Sequence, residues 1–307
     1  MNYILIIFSL LITNIILLGS LVNVFENRLP AFFAKTIRYG KFACKRKPSK
    51  LYEKFIYEVP KSWFRHFYIL AVFVYTYIFY IVTNTYIFRQ DIPNWFTYML
   101  KTLCGEERYA YASATKTYIA IALMTLQVYR RFYDTHFISI FGKSSKINFI
   151  TYLVGLYHYV ACGLAIICEA PKFADYSSEK AETVNVADVT SIDIFSIFLF
   201  LWAWWHQHTT TKILADLRKN KEGVVVTDAY NLPEGDWFSY LTAPHQTAEI
   251  LMYGSITILL WPNTTWFFVF IWVLSNQVET ILLSHWWYQE TFDKFPKTRK
   301  ALIPFIY

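Results

Sequence analysis

Thr265-Trp-Phe-Phe-Val-Phe-Ile-Trp-Val-Leu-Ser-Asn-Gln-Val-Glu-Thr-Ile-Leu-Leu283 runs into His285-Trp-Trp-Tyr288 and then into Phe295-Pro-Lys-Thr-Arg299-Lys-Ala-Leu-Ile-Pro304-Phe-Ile-Tyr307. The first run carries one ionisable residue, Glu279, and approaches the roughly 20 residues that cross a bilayer as a helix. Aromatic residues come next and cations after them, the order met by a helix that leaves the hydrocarbon through the headgroup layer. The stretch therefore reads as a last membrane span with a basic tail resting on the side where cations gather.

Working back toward the N-terminus, the same pattern recurs. The 307 residues are 55% hydrophobic and 20% aromatic, with only 9 Gly, a composition too apolar for ordinary soluble domains. Apolar runs at 3–25, 64–88, 110–129, 147–168, 192–205, 248–261 and 265–283 are the candidate spans. The fifth and sixth are short, and Trp261-Pro-Asn-Thr-Thr265 alone separates the last two, so a tight hairpin must join them. Expected is one all-α integral membrane domain over 1–307, a bundle of about seven transmembrane helices.

Charge in the connecting segments sets the orientation, because Lys and Arg gather on the cytoplasmic side. Lys35–Lys54 holds eight bases and one acid, Arg130–Lys146 four and one, Lys212–Lys221 four and one, and Lys294–Lys300 four bases alone. Glu169–Asp188 carries five acids and two bases, and Arg89–Arg108 three of each. These alternate, which predicts a lumenal N-terminus and a cytosolic C-terminus. The net charge of +7 is then a membrane-face charge, and no motif points to nucleic acid. Tyr3–Phe25 lacks a basic leader and is followed by cations, so it reads as a retained signal anchor.

Cys44, Cys104, Cys162 and Cys168 form no Cys-x-x-Cys pair, and no disulfide framework is expected. His206 and His208 are two apart, on different helix faces, with no metal-motif partner, and no metal site is expected. No Gly-x-Gly-x-x-Gly or Walker-type loop is present. Chemistry must therefore be done by polar groups within the bundle or at its rim, where a charged residue at a helix centre costs roughly 2.5–3.5 kcal/mol and is a functional candidate.

The tail motif Pro296-Lys-x-Arg299-Lys-Ala-x-Ile-Pro304-Phe resembles the C-terminal signature of the steroid 5α-reductase family, whose members use NADPH to reduce a carbon–carbon double bond beside a carbonyl. The resemblance runs from Val59 onward, is strongest over 213–307, and marks 206–307 as the reductase signature region. It implies cofactor contacts at Gln207, Arg218, Tyr230, Asn231, His245, Glu249, Tyr288 and Arg299. His285 falls on a family position for a catalytic role. Asn231 stands where the family has Arg, His245 where it has Asn, and Thr211 where it has a buried Asp. Arg suits the extra 2′-phosphate of NADPH through bidentate hydrogen bonds, which makes Arg218 the candidate for that phosphate or the pyrophosphate.

Glu58-Val-Pro60 is similar to the family's Glu-x-Pro, whose Glu orients the substrate carbonyl. Gln127-Val-Tyr-Arg130-Arg131-Phe-Tyr-Asp134 is similar to the polyprenol reductase branch, whereas steroid-reducing relatives have Tyr at the position of Gln127. The resemblance thus implies an endoplasmic reticulum, multi-pass enzyme that reduces the α-isoprene double bond of polyprenol or polyprenal toward dolichol and supports protein N-glycosylation. Its substrate would be a long polyprenoid lipid entering from the membrane. Hydride adds to an alkene only when a conjugated carbonyl accepts the developing charge, so polyprenal is the better acceptor than polyprenol. A steroid 5α-reductase, an enoyl-CoA reductase and a non-enzymatic seven-span receptor or carrier are the alternatives. The sequon Asn263-Thr-Thr265 abuts two spans and is expected to stay unmodified.

Overall fold

Capping side chains start most of the helices in the computed structural model, which describes residues 1–307 except 31, 32, 35, 36, 39, 43–56, 178–181, 228 and 304–307. Cys44, much of the basic segment 35–54 and the Pro304–Tyr307 end of the tail motif lie outside the described residues. Eight α-helices occur among the described residues: α1 Tyr3–Phe25, α2 Phe64–Tyr86, α3 Asn94–Cys104, α4 Ala114–Tyr133, α5 Phe149–Ile167, α6 Ser191–Asp216, α7 Pro244–Leu260 and α8 Thr264–Thr291. Asn2, Ser113, Asn148 and Asn263 each accept a backbone N–H at the start of α1, α4, α5 and α8, and Thr190 and Asp193 form a reciprocal capping box on α6. Such caps satisfy donors that a helix start leaves open.

Among the described residues, four helical segments are long and apolar enough to cross a membrane: Tyr3–Phe25, Lys61–Tyr86, Phe149–Ile167 and Thr264–Thr291. The expectation of seven was built on α4, α6 and α7 as well. These are helical, but α7 has 17 residues, and α4 turns Gln127 and Arg130 into the protein, which lowers its average apolarity. Helix α3 was not expected at all. Phe96, Leu100 and Cys104 are buried at four-residue spacing while Trp95 and Tyr98 are exposed, an amphipathic pattern.

Side-chain contacts give the helix directions. Asn2 reaches Thr265 at 2.8 Å and Asn23 reaches Glu279 at 2.9 Å, so α1 and α8 run parallel. Lys116–Asp193 (3.2 Å) and Gln127–Gln207 (2.8 Å) set α4 parallel to α6, and Phe79–Tyr118 with Tyr68–Arg131 set α2 antiparallel to α4. Strands β1 Glu58–Pro60 and β2 Lys146–Asn148 pair antiparallel just before α2 and α5. Tails of α1, α4, α6 and α8 thus share one end with the starts of α2, α5 and α7. The described parts of the Lys- and Arg-rich segments gather at this basic end.

At the opposite end α7 and α8 are joined through Trp261–Asn263. Asn263 is 3% exposed, donates to the Ala165 carbonyl at 3.0 Å and accepts from Trp266 N at 2.7 Å. Its amide is committed inside the fold. Glu169 accepts from the backbone N–H groups of Thr264 and Thr265, both at 2.8 Å. Along the interior, Gly155 and Gly163 of α5 lie so close to α2 that an added Cβ would stand 2.6 Å from the Phe67 ring and from Ile78 Cδ1. Cys104, Cys162 and Cys168 are free and buried.

Candidate active site

Gln127 and Arg130, one turn apart on α4, point into the basic half of the bundle and meet Gln207 of α6. Gln127 Nε2 donates to Gln207 Oε1 at 2.8 Å. Arg130 donates to Gln127 Oε1 at 2.6 Å and also to Gln207 Oε1. Gln207 Nε2 in turn donates to the His245 carbonyl at 3.2 Å and to Glu249 Oε2 at 3.3 Å. Gln127, Arg130 and Gln207 are buried, a placement that favours a partner for each polar atom, although Arg130 Nε has no hydrogen-bond partner. Because Arg130 only donates, its bond fixes which end of the Gln127 amide is oxygen. One amide hydrogen then goes to Gln207, and the second is left over.

An ionic layer supports this cluster. Asp134 is 0% exposed and begins a π-helical turn, Asp134–Ile138, that extends α4. It faces Arg130 at 3.4 Å, Arg131 at 3.8 Å and His208 at 2.7 Å. Arg131 also donates to the Tyr68 hydroxyl at 3.2 Å, and the charges of both arginines act on Glu249. Deeper still, His158 Nε2 meets the Tyr253 hydroxyl at 2.9 Å, and Tyr253 stacks on Trp266. Tyr68, His158 and Tyr253 were not singled out from sequence, Asp134 entered only as the acid that closes the Gln127–Asp134 motif, and His208 only as a rejected metal ligand. For Asp134 a signal existed, since an acid four residues after Arg130 lies on the same helix face.

His245 and Glu249 are four apart on α7 and half-buried. His245 Nδ1 is a buried nitrogen without a hydrogen-bond partner, and the charges of Arg131, Lys41 and Lys61 act on it. Thr247, Ile250 and Leu251, on the opposite face of α7, instead line an apolar cavity of about 540 Å³ with Trp202, Trp237 and Leu274. That cavity is separate from the polar cluster.

The remaining cofactor candidates form a second group, built of rings and cations. Arg218 donates to the Ile140 carbonyl at 2.6 Å and lies 5.3 Å from the Tyr230 ring centroid. Tyr230 stands edge-on to Trp287 at 5.2 Å, and buried Tyr288 stacks on Phe292 and Phe295. Arg299 is 4% exposed, 5.6 Å from the Phe295 centroid, with its Nε unpartnered; burial lowers its pKa, while Tyr288 and Glu234 oppose the shift. Lys41, unmarked by sequence, sits 4.1 Å from the Tyr288 centroid. Burial, with the nearby Lys61 ammonium, pushes it from 10.5 down to about 7. Asn231 Nδ2 donates to the Leu217 carbonyl at 3.2 Å.

Two expected residues stand outside the Gln127 cluster. Glu58 is exposed on β1, paired through its backbone with Asn148. His285 is bonded to the tail: Gln289 Nε2 donates to its Nε2 at 3.0 Å, so Nδ1 carries the hydrogen and donates to Thr242 Oγ1 at 2.7 Å. Thr242 then donates to the Lys300 carbonyl through both hydroxyl (3.1 Å) and backbone N–H (2.9 Å). The described contacts of His285 thus seat the segment that carries Arg299.

The family model described as 3-oxo-5-alpha-steroid 4-dehydrogenase matches residues 171–307. A polyprenal reductase of Drosophila melanogaster is 36% identical over 302 residues, covering 97% of this chain and 91% of the relative. Polyprenal reductases of Xenopus laevis and Homo sapiens are 32% and 30% identical over 286 and 278 residues, covering 91% and 90% of this chain and 86% of each relative. With a shared domain in its C-terminal half and whole-length likeness to such relatives, the chain belongs to the steroid 5α-reductase family, in the group that holds the polyprenal reductases.

Proposed function

We propose that this protein reduces the α-isoprene double bond of polyprenal with NADPH, on the route to dolichol and protein N-glycosylation. The observation that carries the reading is the buried Gln127–Arg130–Gln207 cluster reaching Glu249. It holds an amide donor rigidly in a water-poor interior, as polarising an aldehyde oxygen requires. Arg130 orients Gln127, and the unspent Gln127 hydrogen is assigned to the carbonyl. Glu249, His245 and Tyr288 frame the nicotinamide side. Glu58, at the rim, orients the substrate head as it enters, and His285 is a positioning residue that seats Arg299 through Thr242.

NADPH, when bound, supplies the hydride. The residues present fit such a polyanion: Arg218, Arg299 and Lys41 lie among ring faces, and Arg299 Nε and His245 Nδ1 are buried without partners. Gln207 joins Gln127, on the substrate side, to Glu249, on the nicotinamide side, through its bonds to both. Tyr230 and Asn231 complete the wall beside Arg218.

The same reading takes α1, α2, α4, α5, α6, α7 and α8 as seven crossings in a single domain. The basic end faces the cytosol, where NADPH is available, and the membrane is that of the endoplasmic reticulum. A polyprenoid enters laterally between helices. Gln127 in place of the steroid branch's Tyr favours an isoprenoid aldehyde over a steroid enone. Purified protein offered polyprenal, polyprenol and an enone steroid with NADPH tests this. Turnover of polyprenal is expected, and turnover of the steroid alone would overturn the choice of substrate.

A further inference from the structure

Three cations from three separate segments converge on the cofactor side without a carboxylate to neutralise them. Lys41, in the turn Gly40–Phe42, places its ammonium 4.1 Å from the Tyr288 centroid and 4.9 Å from that of Trp287. Trp287 contacts Tyr230 at 5.2 Å, and Tyr230 carries Arg218 at 5.3 Å. Lys61, in the turn that leads α2, donates its backbone N–H to the Ser145 carbonyl at 2.8 Å, on the same segment whose Ile140 carbonyl takes Arg218 at 2.6 Å, and its charge acts on Lys41. Among the described residues, no Asp or Glu lies within ion-pair distance of any of the three.

A cation resting on ring faces has lost hydration and gained a modest attraction, worth about 0.5–2 kcal/mol, with no counter-ion in return. Lys41 and Arg218 rest on rings in this way, and with Lys61 beside them the three charges call for a multiply charged anion, because a single carboxylate would leave two uncompensated. All three side chains are half-buried and keep accessible surface, so a ligand can reach them. The same field extends to His245, on which Lys41 and Lys61 both act, and His245 adjoins Glu249 and Gln207. A dinucleotide with phosphates at the cations would extend from there toward His245, whose carbonyl accepts from Gln207.

We infer that Lys41 and Lys61, from the N-terminal third of the chain, act with Arg218 as a clasp on the phosphate groups of the dinucleotide. The inference rests on the NADPH reading above and adds two residues outside the C-terminal signature. Without cofactor the Lys41 ammonium lies on Trp287 and Tyr288. With cofactor a phosphate oxygen becomes its partner, and the turn Gly40–Phe42 is tied across α8.

The test is the dissociation constant for NADPH of the full-length protein in detergent, read by quenching of tryptophan fluorescence. Lys41→Gln and Lys61→Gln should each weaken binding by about tenfold, the worth of one charge-assisted hydrogen bond, with a shallower salt dependence. Lys101→Gln, at the opposite end beside Asp175, should bind as wild type does. Lys41→Met keeps the aliphatic stem on the rings, so its equal loss of binding assigns the effect to charge rather than folding. Parallel titrations with NADH locate the contact: a loss confined to NADPH places the lysines on the 2′-phosphate, and an equal loss places them on the pyrophosphate. Wild-type affinity and salt slope in both Gln variants would overturn the clasp. If those variants differ from wild type only in adsorption to anionic phospholipid vesicles, the lysines serve headgroups and the inference fails. Wild-type protein that binds no NADPH would instead refute the cofactor reading itself.

Discussion

Replacing Asp134 by Asn separates the role of the ionic layer from that of the general fold. Asp134 is fully buried and is the shared anion for Arg130 at 3.4 Å, Arg131 at 3.8 Å and His208 at 2.7 Å. Asn keeps the size and one acceptor oxygen, so the His208 contact can survive, but two guanidinium charges lose their counter-ion. Removing one member of a buried ion pair costs about 3–5 kcal/mol. Arg131 keeps Tyr68, and Arg130 keeps Gln127 and Gln207, so the expected loss is near the lower limit, about 3 kcal/mol. That is a large part of a stability of about 5–15 kcal/mol, yet leaves a folded protein. Because Arg130 orients Gln127, kcat on polyprenal should also fall by about a hundredfold, the effect of a small misplacement. Asp175→Asn is the control: Asp175 pairs with Arg108 at 3.2 Å and Lys101 at 3.4 Å at the other end, partly in solvent. It should cost about 1 kcal/mol and leave turnover intact. Denaturant unfolding of both variants in detergent, with steady-state kinetics, decides. Wild-type turnover in folded Asp134→Asn, or a stability loss no larger than that of Asp175→Asn, would refute the reasoning.

Three further outcomes are expected. Gln127→Leu should lower kcat by about 10²–10³-fold, the loss seen when one preorganised donor is removed, with the NADPH dissociation constant unmoved; a changed affinity with normal kcat would place Gln127 on the cofactor. His285→Ala should raise the KM for NADPH more than it lowers kcat, because it frees the Thr242–Lys300 contact that seats Arg299; the reverse split would put His285 at the reacting atoms. NADPH affinity should be greatest below about pH 7 and fall as pH rises above it. The unliganded Lys41 ammonium is held down to about 7 by burial and by Lys61, and a bound phosphate favours its charged form, so binding takes up a proton above that pH. Tyr288, Trp287 and Phe42 face Lys41 through their rings, and Lys41→Gln should flatten the profile measured by fluorescence titration. Unfolded Lys41 binds its proton more tightly than folded Lys41, so the same group makes the unliganded fold gain stability between about pH 7 and the ordinary lysine value of 10.5.

Apolar run lengths were enough to read the bundle and its hairpin at Trp261–Asn263, because a membrane leaves helices few alternatives. They overstated the apolar character of α4, whose inward face is polar. Helix α3 passed for a loop because its eleven residues are too few to span, though Phe96, Leu100 and Cys104 carried the helical period. Glu249 could be picked from the sequence as an ionisable residue in an apolar run, where the cost of burial demands partners, whereas Gln127 and Gln207 were legible only through the family resemblance. Lys41 and Lys61 could not: the bias of cations to one membrane face accounts for every lysine in those segments, and only tertiary packing turns these two onto Tyr288 and toward Arg218. His206 and His208 were dismissed as metal ligands for lying on different helix faces, and each meets its own carboxylate, Asp236 at 2.8 Å and Asp134 at 2.7 Å. His285 stands in the most telling stretch of the sequence, yet spacing could not foresee that Thr242 and Gln289 would occupy both of its ring nitrogens.

The most direct measurement is a single-turnover reaction of the purified protein with polyprenal and NADPH deuterated at the transferable C4 position, followed by mass analysis of the lipid. The account predicts one deuterium at the β-carbon of the α-isoprene unit, appearing in step with NADPH oxidation. An unlabelled reduced lipid, or polyprenal left unchanged by protein that has bound NADPH, would contradict it.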